Sequence, residues 1–190
     1  IGDKTFYNCS NLTGIVIPDS VTLISRGAFK GCTSLESITL PFIGESRTAK
    51  DGYNQVLGYI FDYAVNYSTS STVSGATCQI NYYYYYIPSS LYEVVLSDSA
   101  TTLYDKAFNN CGMLSSVTIG NGITEMGDKA FSGCEKLECV IIGNGVTSIG
   151  EYTFSGCKKL CSVTIGNGVR DIRSGAFSGC SQLWDITIPD

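Results

Sequence analysis

The sequence predicts a solenoid in which successive coils stack a parallel β-sheet along the molecule. The main observation is the motif Phe-x-x-Cys-x-x-Leu-x-x-(Ile/Val)-x-(Ile/Leu), which recurs six times with a basic interval of 23 residues. A fixed period of this size is typical of repeat proteins in which each coil buries its apolar residues only against its neighbours. The Phe and Cys positions are Phe6, Phe29, Phe108, Phe131, Phe154, Phe177, Cys9, Cys32, Cys111, Cys134, Cys157 and Cys180.

A short strand follows the regularly spaced leucine of each repeat. Val117 and Ile119, for example, alternate with Ser116 and Thr118, which is the period-two pattern of a half-buried strand. The same alternation recurs at every repeat. One strand per coil therefore predicts a parallel sheet that runs the length of the solenoid.

A turn and a back segment complete each coil. The triplets Gly120-Asn121-Gly122, Gly143-Asn144-Gly145 and Gly166-Asn167-Gly168 occupy the slot that Pro18-Asp19-Ser20 fills earlier in the chain. Gly and Asn tolerate positive φ, and Pro and Asp favour tight turns, so both versions predict a turn. A small residue plus Phe then predicts a short helical or 3₁₀ turn at the back of the coil.

An interruption divides the regular repeats. We expect a single solenoid unit over 1–190, with regular repeats at 1–40 and 91–190 and an irregular insertion or degenerate repeat at 41–90. Within the insertion, Leu57-Gly58-Tyr59-Ile60-Phe61 is interpreted as the strand of a degenerate coil. The run Tyr82–Tyr86 predicts a further strand, which either patches the side of the solenoid or forms an aromatic recognition surface. Both chain ends fall within a repeat, so we expect a segment of a longer protein.

The cysteine column predicts buried free thiols. Stacked residues on adjacent coils lie about 4.8 Å apart with parallel Cβ vectors, whereas a disulfide needs converging Cβ atoms at about 3.5–4.5 Å. Cys139 and Cys161 fall outside the column, among polar positions that predict exposure, and Cys78 also lies outside it. The absence of His and of Cys-x-x-Cys argues against zinc.

Composition excludes several functional classes. The formal charge is −5 with no Lys/Arg cluster, which argues against nucleic acid as a partner. No apolar stretch approaches the length of a membrane span, so we expect no membrane insertion by this segment. There is no His base, no nucleophile elbow and no phosphate loop, so we expect neither an enzyme nor a cofactor.

These motifs resemble the leucine-rich repeats of the BspA-like type, also called the Treponema pallidum type. Their unit reads roughly A-F-x-x-C-x-x-L-x-x-I-x-I-P, which Ala28 through Pro41 and Ala176 through Pro189 reproduce. The resemblance implies a leucine-rich-repeat solenoid of the α/β type, dominated by β-structure. Its parallel sheet would lie on the concave side, with short helical or 3₁₀ turns on the convex side. Family members are typically secreted or surface proteins of host-associated bacteria, which implies an extracellular or cell-surface location.

Outward strand positions are the candidate binding residues, because they would line the concave face. Their hydroxyls are either good exposed strand formers or a hydrogen-bonding floor for an extended partner. Large aromatic residues anchor tight interfaces more often, so the tyrosine strand and the single tryptophan join the candidates. The candidates are Ser37, Thr39, Glu93, Ser116, Thr118, Ser162, Thr164, Asp185, Thr187, Tyr83, Tyr85 and Trp184.

The leading functional hypothesis is a non-enzymatic interaction module that adheres to a protein or glycan on host or neighbouring cells. The alternative is a rigid spacer that displays other domains and has no ligand of its own. An ice- or mineral-binding array would need paired flat threonine columns. The column beside the threonines mixes Ser with Glu, Asp and Cys, which disfavours such an array.

Overall fold

The computed structural model describes residues 1–48, 55–64, 76–80 and 83–188. For residues 63–64, 76–80 and 83–84 it describes the backbone. A 3₁₀ helix spans Leu57–Phe61. The strands in chain order are β1 (Gly14–Val16), β2 (Ser37–Leu40), β3 (Tyr63–Ala64), β4 (Ala76–Ile80), β5 (Tyr83–Ile87), β6 (Glu93–Leu96), β7 (Ser116–Ile119), β8 (Glu125–Met126), β9 (Cys139–Ile142), β10 (Ser148–Ile149), β11 (Ser162–Thr164), β12 (Asp171–Ile172) and β13 (Asp185–Thr187).

The main sheet has seven parallel strands in the order β1-β2-β6-β7-β9-β11-β13. Val117 pairs with Val140, and Val140 pairs with Val163, so residues 23 positions apart lie side by side. In β7 the burial alternates, with Val117 and Ile119 inward and Ser116 and Thr118 outward. The predicted solenoid with one strand per coil is confirmed.

A second, narrower sheet runs parallel to the first. It contains β12-β10-β8, in which Ser148 of β10 pairs with Glu125 on one side and Asp171 on the other. An isolated bridge from Leu103 to Met126 extends the same ladder by one coil. Each of these two-residue strands ends on an apolar residue of the core, Met126, Ile149 or Ile172.

Stacked phenylalanine rings fill the back of the core. The ring centroids of Phe108 and Phe131 are 4.8 Å apart and nearly parallel, and those of Phe131 and Phe154 are 5.2 Å apart. Phe154 and Phe177 continue the stack at 5.3 Å. Because each ring is covered by the rings of the neighbouring coils, one coil cannot bury its phenylalanine alone.

The cysteine column is buried in the inner coils, whereas Cys9 of the first repeat is exposed and Cys180 of the last is half-buried, so the prediction of buried thiols is wrong at the two ends. The Cys134 thiol donates to the carbonyl oxygen of Phe108 at 3.1 Å, and the Cys157 thiol donates to that of Phe131 at 3.2 Å. Burial raises the pKa of Cys157 to about 12. This position suits a small apolar residue that is also a weak hydrogen-bond donor. Cysteine meets both requirements, whereas alanine has no donor.

One member of this column departs from the prediction of free thiols. Cys111 is disulfide-bonded, so the interpretation of the column as wholly free is wrong at this position. The geometric argument excluded bonds between stacked neighbours but did not exclude a partner from outside the column. The other cysteines with described side chains are free, namely Cys9, Cys32, Cys134, Cys139, Cys157, Cys161 and Cys180.

The back of each coil is a run of hydrogen-bonded turns. Cys134 N donates to Phe131 O and Leu137 N donates to Cys134 O, which is the i→i+3 pattern of 3₁₀ geometry. Positive φ recurs here at Lys129 and Gly133 and at the equivalent positions of other coils. The left-handed conformation therefore lies beside the Phe-x-x-Cys motif.

The Gly-Asn-Gly turns need a different explanation from the predicted positive φ, because none of these glycines has one. A Cβ on Gly143 would lie 2.7 Å from the carbonyl oxygen of Gly120 on the neighbouring coil. Glycine is required here because the backbones of adjacent coils approach too closely for any side chain. The predicted turn is present, but tolerance of positive φ does not account for its glycines.

The asparagine of the triplet links neighbouring coils. The side-chain oxygen of Asn121 accepts from the backbone N–H of Asn144 at 2.9 Å, and that of Asn144 accepts from Asn167 at 3.0 Å. Asp98 begins the series by accepting from the Asn121 N–H at 2.8 Å. A second ladder runs in the same way from Asp105 to Asp128 at 2.8 Å. These ladders satisfy backbone donors that a turn would otherwise leave exposed.

The interruption does not add a strand to the main sheet, because β2 pairs directly with β6. The segment Leu57–Phe61, expected to be a strand, is a 3₁₀ helix on the back of an enlarged coil. Its Phe61 ring lies 6.2 Å from that of Phe29, and its Ile60 carbonyl accepts from the Phe29 N–H. It therefore takes the place of a Phe turn. A short apolar run does not by itself distinguish a strand from a helix, which is why the prediction failed.

A clasp joins the coils on either side of the interruption. The Asp19 carboxylate accepts from the hydroxyl groups of Ser97 and Ser99 at 2.7 Å and 2.5 Å. The guanidinium of Arg47 donates to the Asp19 carbonyl at 2.9 Å and to the Ser99 hydroxyl at 3.0 Å. These hydrogen bonds from Ser99 and Ser97 lower the pKa of the Asp19 side chain.

The tyrosine run forms the centre of a three-stranded antiparallel sheet, β3-β5-β4. In β5 the Tyr85 side chain is buried against Gly58, where any Cβ would overlap it. The strand predicted for the tyrosines is therefore present in β5 (Tyr83–Ile87), and Tyr82 lies outside the described residues. This sheet packs on the 3₁₀ helix through Tyr85.

Candidate interaction surface

The outward positions of the seven-stranded sheet form one continuous surface, which we call the front face. Its central column is Gly14, Ser37, Glu93, Ser116, Cys139, Ser162 and Asp185. Its second column is Val16, Thr39, Val95, Thr118, Ile141, Thr164 and Thr187. A leading column, directly before the strands, is Thr13, Glu36, Tyr92, Ser115, Glu138, Cys161 and Trp184.

The structure brings the predicted strand residues together on this face. Those that are half-buried are Ser37, Thr39, Glu93, Ser116, Thr118 and Ser162, and those that are exposed are Thr164, Asp185 and Thr187. Their hydroxyl and carboxyl groups repeat at the spacing of parallel strands, about 4.8 Å. The face thus offers a regular series of hydrogen-bonding groups.

The leading column exists because the chain bends before each strand. The carbonyl oxygen of Ser115 accepts from both Glu138 N at 2.9 Å and Cys139 N at 3.3 Å. Two consecutive side chains therefore lie between the inward Leu137 and Val140, where strict alternation would place only one outward. Sequence-based reasoning did not include Glu36, Tyr92 and Glu138 among its candidates. The 23-residue column through Trp184 was the signal that could have found them.

Aromatic residues lie at two points of the leading column. Trp184 is 79% exposed and Tyr92 is 47% exposed, so both rings are available to a partner. The other aromatic candidates differ, since Tyr85 is only 1% exposed and the Tyr83 side chain lies outside the described residues. Tyr85 therefore does not contribute to the surface, and its burial agrees with the alternative of a strand that patches the side of the solenoid.

Two free thiols lie on the front face, on the coils of its fifth and sixth strands, β9 and β11. Cys139 is exposed, with its sulfur 3.6 Å from the Ser116 hydroxyl oxygen, and Cys161 is partly exposed, donating to the Glu138 carbonyl at 3.2 Å. Both are free. The Cys139 thiol can therefore be modified chemically to block this part of the surface.

A cleft of about 510 Å³ opens beside the narrow sheet and contains several carboxylates. Asp105 and Asp128 line it, but one oxygen of each already accepts a backbone N–H of the next coil at 2.8 Å and 2.7 Å. Ser148 also lines it, and its buried hydroxyl has no partner among the described residues. The two aspartates are thus part of the hydrogen-bonded ladder between coils.

The described ranges also show no group of three or more His, Cys, Asp or Glu side chains that could hold a metal ion. Over these same ranges, no helix has the length and apolar character needed to cross a bilayer.

Solved structures with the same fold share low to moderate identity with this chain. A leucine-rich repeat protein from Bacteroides ovatus is 27% identical, with a TM-score of 0.53 over all of this chain and 46% of its own. The T. pallidum leucine rich repeat protein is 24% identical, with a TM-score of 0.47 over 97% of this chain and 60% of its own. A leucine rich cell surface protein from Faecalibacterium prausnitzii is 23% identical, with a TM-score of 0.49 over 96% of this chain and 61% of its own.

The chain thus spans only about half of the Bacteroides ovatus protein (46%) and three fifths of the T. pallidum one (60%). No curated protein matches it. The BspA type leucine rich repeat region matches in six copies, over residues 1–49 and 78–190. The matched ranges include all seven strands of the main sheet. The chain belongs to the BspA-type leucine-rich repeat family.

Proposed function

We propose that the chain is a non-enzymatic interaction module of a surface-displayed or secreted protein, and that its front face contacts a protein or glycan on host or neighbouring cells. The carrying observation is the unbroken seven-stranded sheet, which presents three outward columns along the whole solenoid. Family membership supports the proposal, since repeat proteins use extended surfaces of this kind for binding.

The division of labour within each coil also supports a binding role for the front face. The Phe, Cys and Leu columns pack in the core. The Asn and Asp ladders form hydrogen bonds between coils. The outward strand residues have no comparable structural duty. Their side chains, mostly Ser and Thr with exposed apolar groups at Val16 and Ile141, remain available to an extended partner.

The test uses the exposed thiols to block one face at a time. In a variant with Cys9, Cys161 and Cys180 replaced by serine, a polyethylene glycol maleimide attaches to Cys139 on the front face. In the matched control, with Cys139, Cys161 and Cys180 replaced by serine, it attaches to the exposed Cys9 of the first repeat's back column. Both proteins are then applied to arrays of matrix proteins and neutral glycans.

We expect the unmodified protein to bind at least one array component, and the Cys139 adduct to lose that binding while the Cys9 adduct retains it. Equal binding by both adducts would place the contact elsewhere on the molecule. No binding by the unmodified protein would favour the spacer, whose only duty is to hold other domains apart.

A further inference from the structure

We propose that the front face selects an extended polypeptide segment that carries Lys or Arg at about every third residue. This inference rests on the proposed function, because it names the partner that the same surface would take. It depends on the distribution of charge, on the partners of the carboxylates and on two exposed rings.

Charge is segregated between the front face and the rest of the molecule. The three columns of the front face contain four acidic residues, Glu36, Glu93, Glu138 and Asp185, and no Lys or Arg. The whole chain has a formal charge of only −5, from 17 acidic and 12 basic residues. The face is therefore far more acidic than the average surface, and a cationic partner complements it.

The carboxylates of the front face are also less engaged than many of those elsewhere. Asp62 pairs with Lys30 at 2.9 Å, Glu135 pairs with Lys158 at 2.7 Å, and the ladder aspartates accept backbone N–H groups. Among the described residues, Glu36, Glu93 and Glu138 form no salt bridge, and Asp185 accepts only a 3.4 Å hydrogen bond from Ser162. These groups are free to receive donors from a partner.

The exposed rings add a second attraction for cations. Trp184 precedes Asp185, and Tyr92 precedes Glu93, so each exposed ring occupies the leading column beside an acidic position of the central column. A Lys or Arg side chain placed between them would meet both a negative charge and the face of a ring. An anionic partner would be repelled by the carboxylates and would gain no attraction from the ring faces.

The spacing of the carboxylates defines the partner further. Glu93, Glu138 and Asp185 lie on every second coil, about 9.6 Å apart along the stack, with Glu138 one position to the side in the leading column. Glu36 lies one coil before Glu93. In a polyproline II segment every third residue returns to the same side after about 9.3 Å. A segment with Lys or Arg at every third position therefore places one cation near each of Glu93, Glu138 and Asp185.

The single tryptophan makes binding directly measurable, because Trp184 lies on the proposed surface. The probe is the peptide (Lys-Pro-Pro)₄, titrated while tryptophan emission is followed at low and high salt. The comparison peptides are (Glu-Pro-Pro)₄, a peptide of the same composition with its four lysines together at one end, and the neutral sugar chitotetraose.

We expect (Lys-Pro-Pro)₄ to bind with an affinity that falls as salt rises, and (Glu-Pro-Pro)₄ and the sugar to leave the emission unchanged. The triple variant Glu93→Gln, Glu138→Gln, Asp185→Asn should weaken binding about tenfold, since exposed pairs contribute modestly and sum. The matched control, Asp3→Asn, Glu125→Gln, Glu151→Gln, changes the net charge equally at exposed sites off the face and should alter affinity less than about twofold.

Equal weakening by the two triple variants would overturn the inference, as would binding of the glutamate peptide or of chitotetraose with the same affinity. Equal affinity for the spaced and clustered lysine peptides would overturn the matching of positions. These results leave the proposed function standing if the Cys139 adduct still blocks an array partner. Conversely, if the array test alone fails, the proposed function is contradicted by an experiment in which no charged residue is changed.

Discussion

Replacing Gly143 by alanine tests the explanation of the Gly-Asn-Gly turns. The new Cβ would lie 2.7 Å from both the carbonyl carbon and oxygen of Gly120 and 2.8 Å from the carbonyl oxygen of Ile119. All three atoms belong to the backbone of the next coil, so relief requires the coils to separate locally. Overpacking of this kind costs about 1–3 kcal/mol.

Separation of the coils would also weaken the adjacent hydrogen bond from Asn144 N to the Asn121 side chain, for about 1 kcal/mol more. We therefore expect Gly143→Ala to lower the free energy of unfolding by about 2–4 kcal/mol. For a chain of this size that corresponds to a melting temperature lower by about 5–15 °C. The assay is thermal unfolding followed by circular dichroism.

Gly112→Ala is the matched control, because its Cβ would meet nothing closer than 4.0 Å. We expect this variant to melt within about 2 °C of the parent protein. Gly143→Asn separates the two explanations, since a positive-φ requirement would tolerate asparagine and a close approach would not. Wild-type stability of Gly143→Asn, or equal loss in Gly143→Ala and Gly112→Ala, would refute the close-approach explanation.

Three further predictions address the ladders, the buried thiols and the side sheet. Asn144→Ala should cost about 1 kcal/mol in urea unfolding because the Asn167 N–H loses its acceptor, whereas Asn144→Asp should keep most of the stability. Burial raises the pKa of Cys157 from 9.0 to about 12, so stability is full below pH 9 and should decline between pH 9 and 12, less steeply in Cys157→Ala, in unfolding titrations across that range. Gly58→Ala should displace the Tyr85 side chain and speed hydrogen exchange in β5 while β9 stays protected.

The periodic core was predictable because the residues that recur every 23 positions are the ones that are buried. Phe131, Cys134 and Leu137 recur at a constant interval, and a residue that recurs so must meet its own equivalent on the next coil. The parallel register followed from the same argument. No local propensity was needed for either conclusion.

The reasons for individual residues were harder to predict because they depend on distances between coils. The sequence shows Gly143 in a turn, but not the backbone that lies against it. Positive φ falls instead on residues such as Lys129 and Tyr152, whose side chains carry no sign of it. The disulfide at Cys111 was likewise not predictable, because the geometry of the column excludes only bonds between stacked neighbours.

In the interruption and on the candidate surface, too, periodic features were predictable and features without a period were not. Without a period, Leu57–Phe61 offered only apolarity, which a 3₁₀ helix and a strand share. The outward columns of the strands were predictable from alternation. The period could have placed Glu36, Tyr92 and Glu138 in one column, but the bend that turns this column outward was not predictable, because it arises from one carbonyl accepting two N–H groups of the next coil.

The most direct measurement of coil stacking is the set of ring-to-ring nuclear Overhauser effects in protein labelled at its eight phenylalanines. Successive centroids at 4.8–5.3 Å predict cross-peaks from the Phe131 ring to those of Phe108 and Phe154, and from Phe154 to Phe177. No cross-peak should join Phe108 to Phe177. Absence of the first set, or cross-peaks between rings three coils apart, would contradict the stacked solenoid.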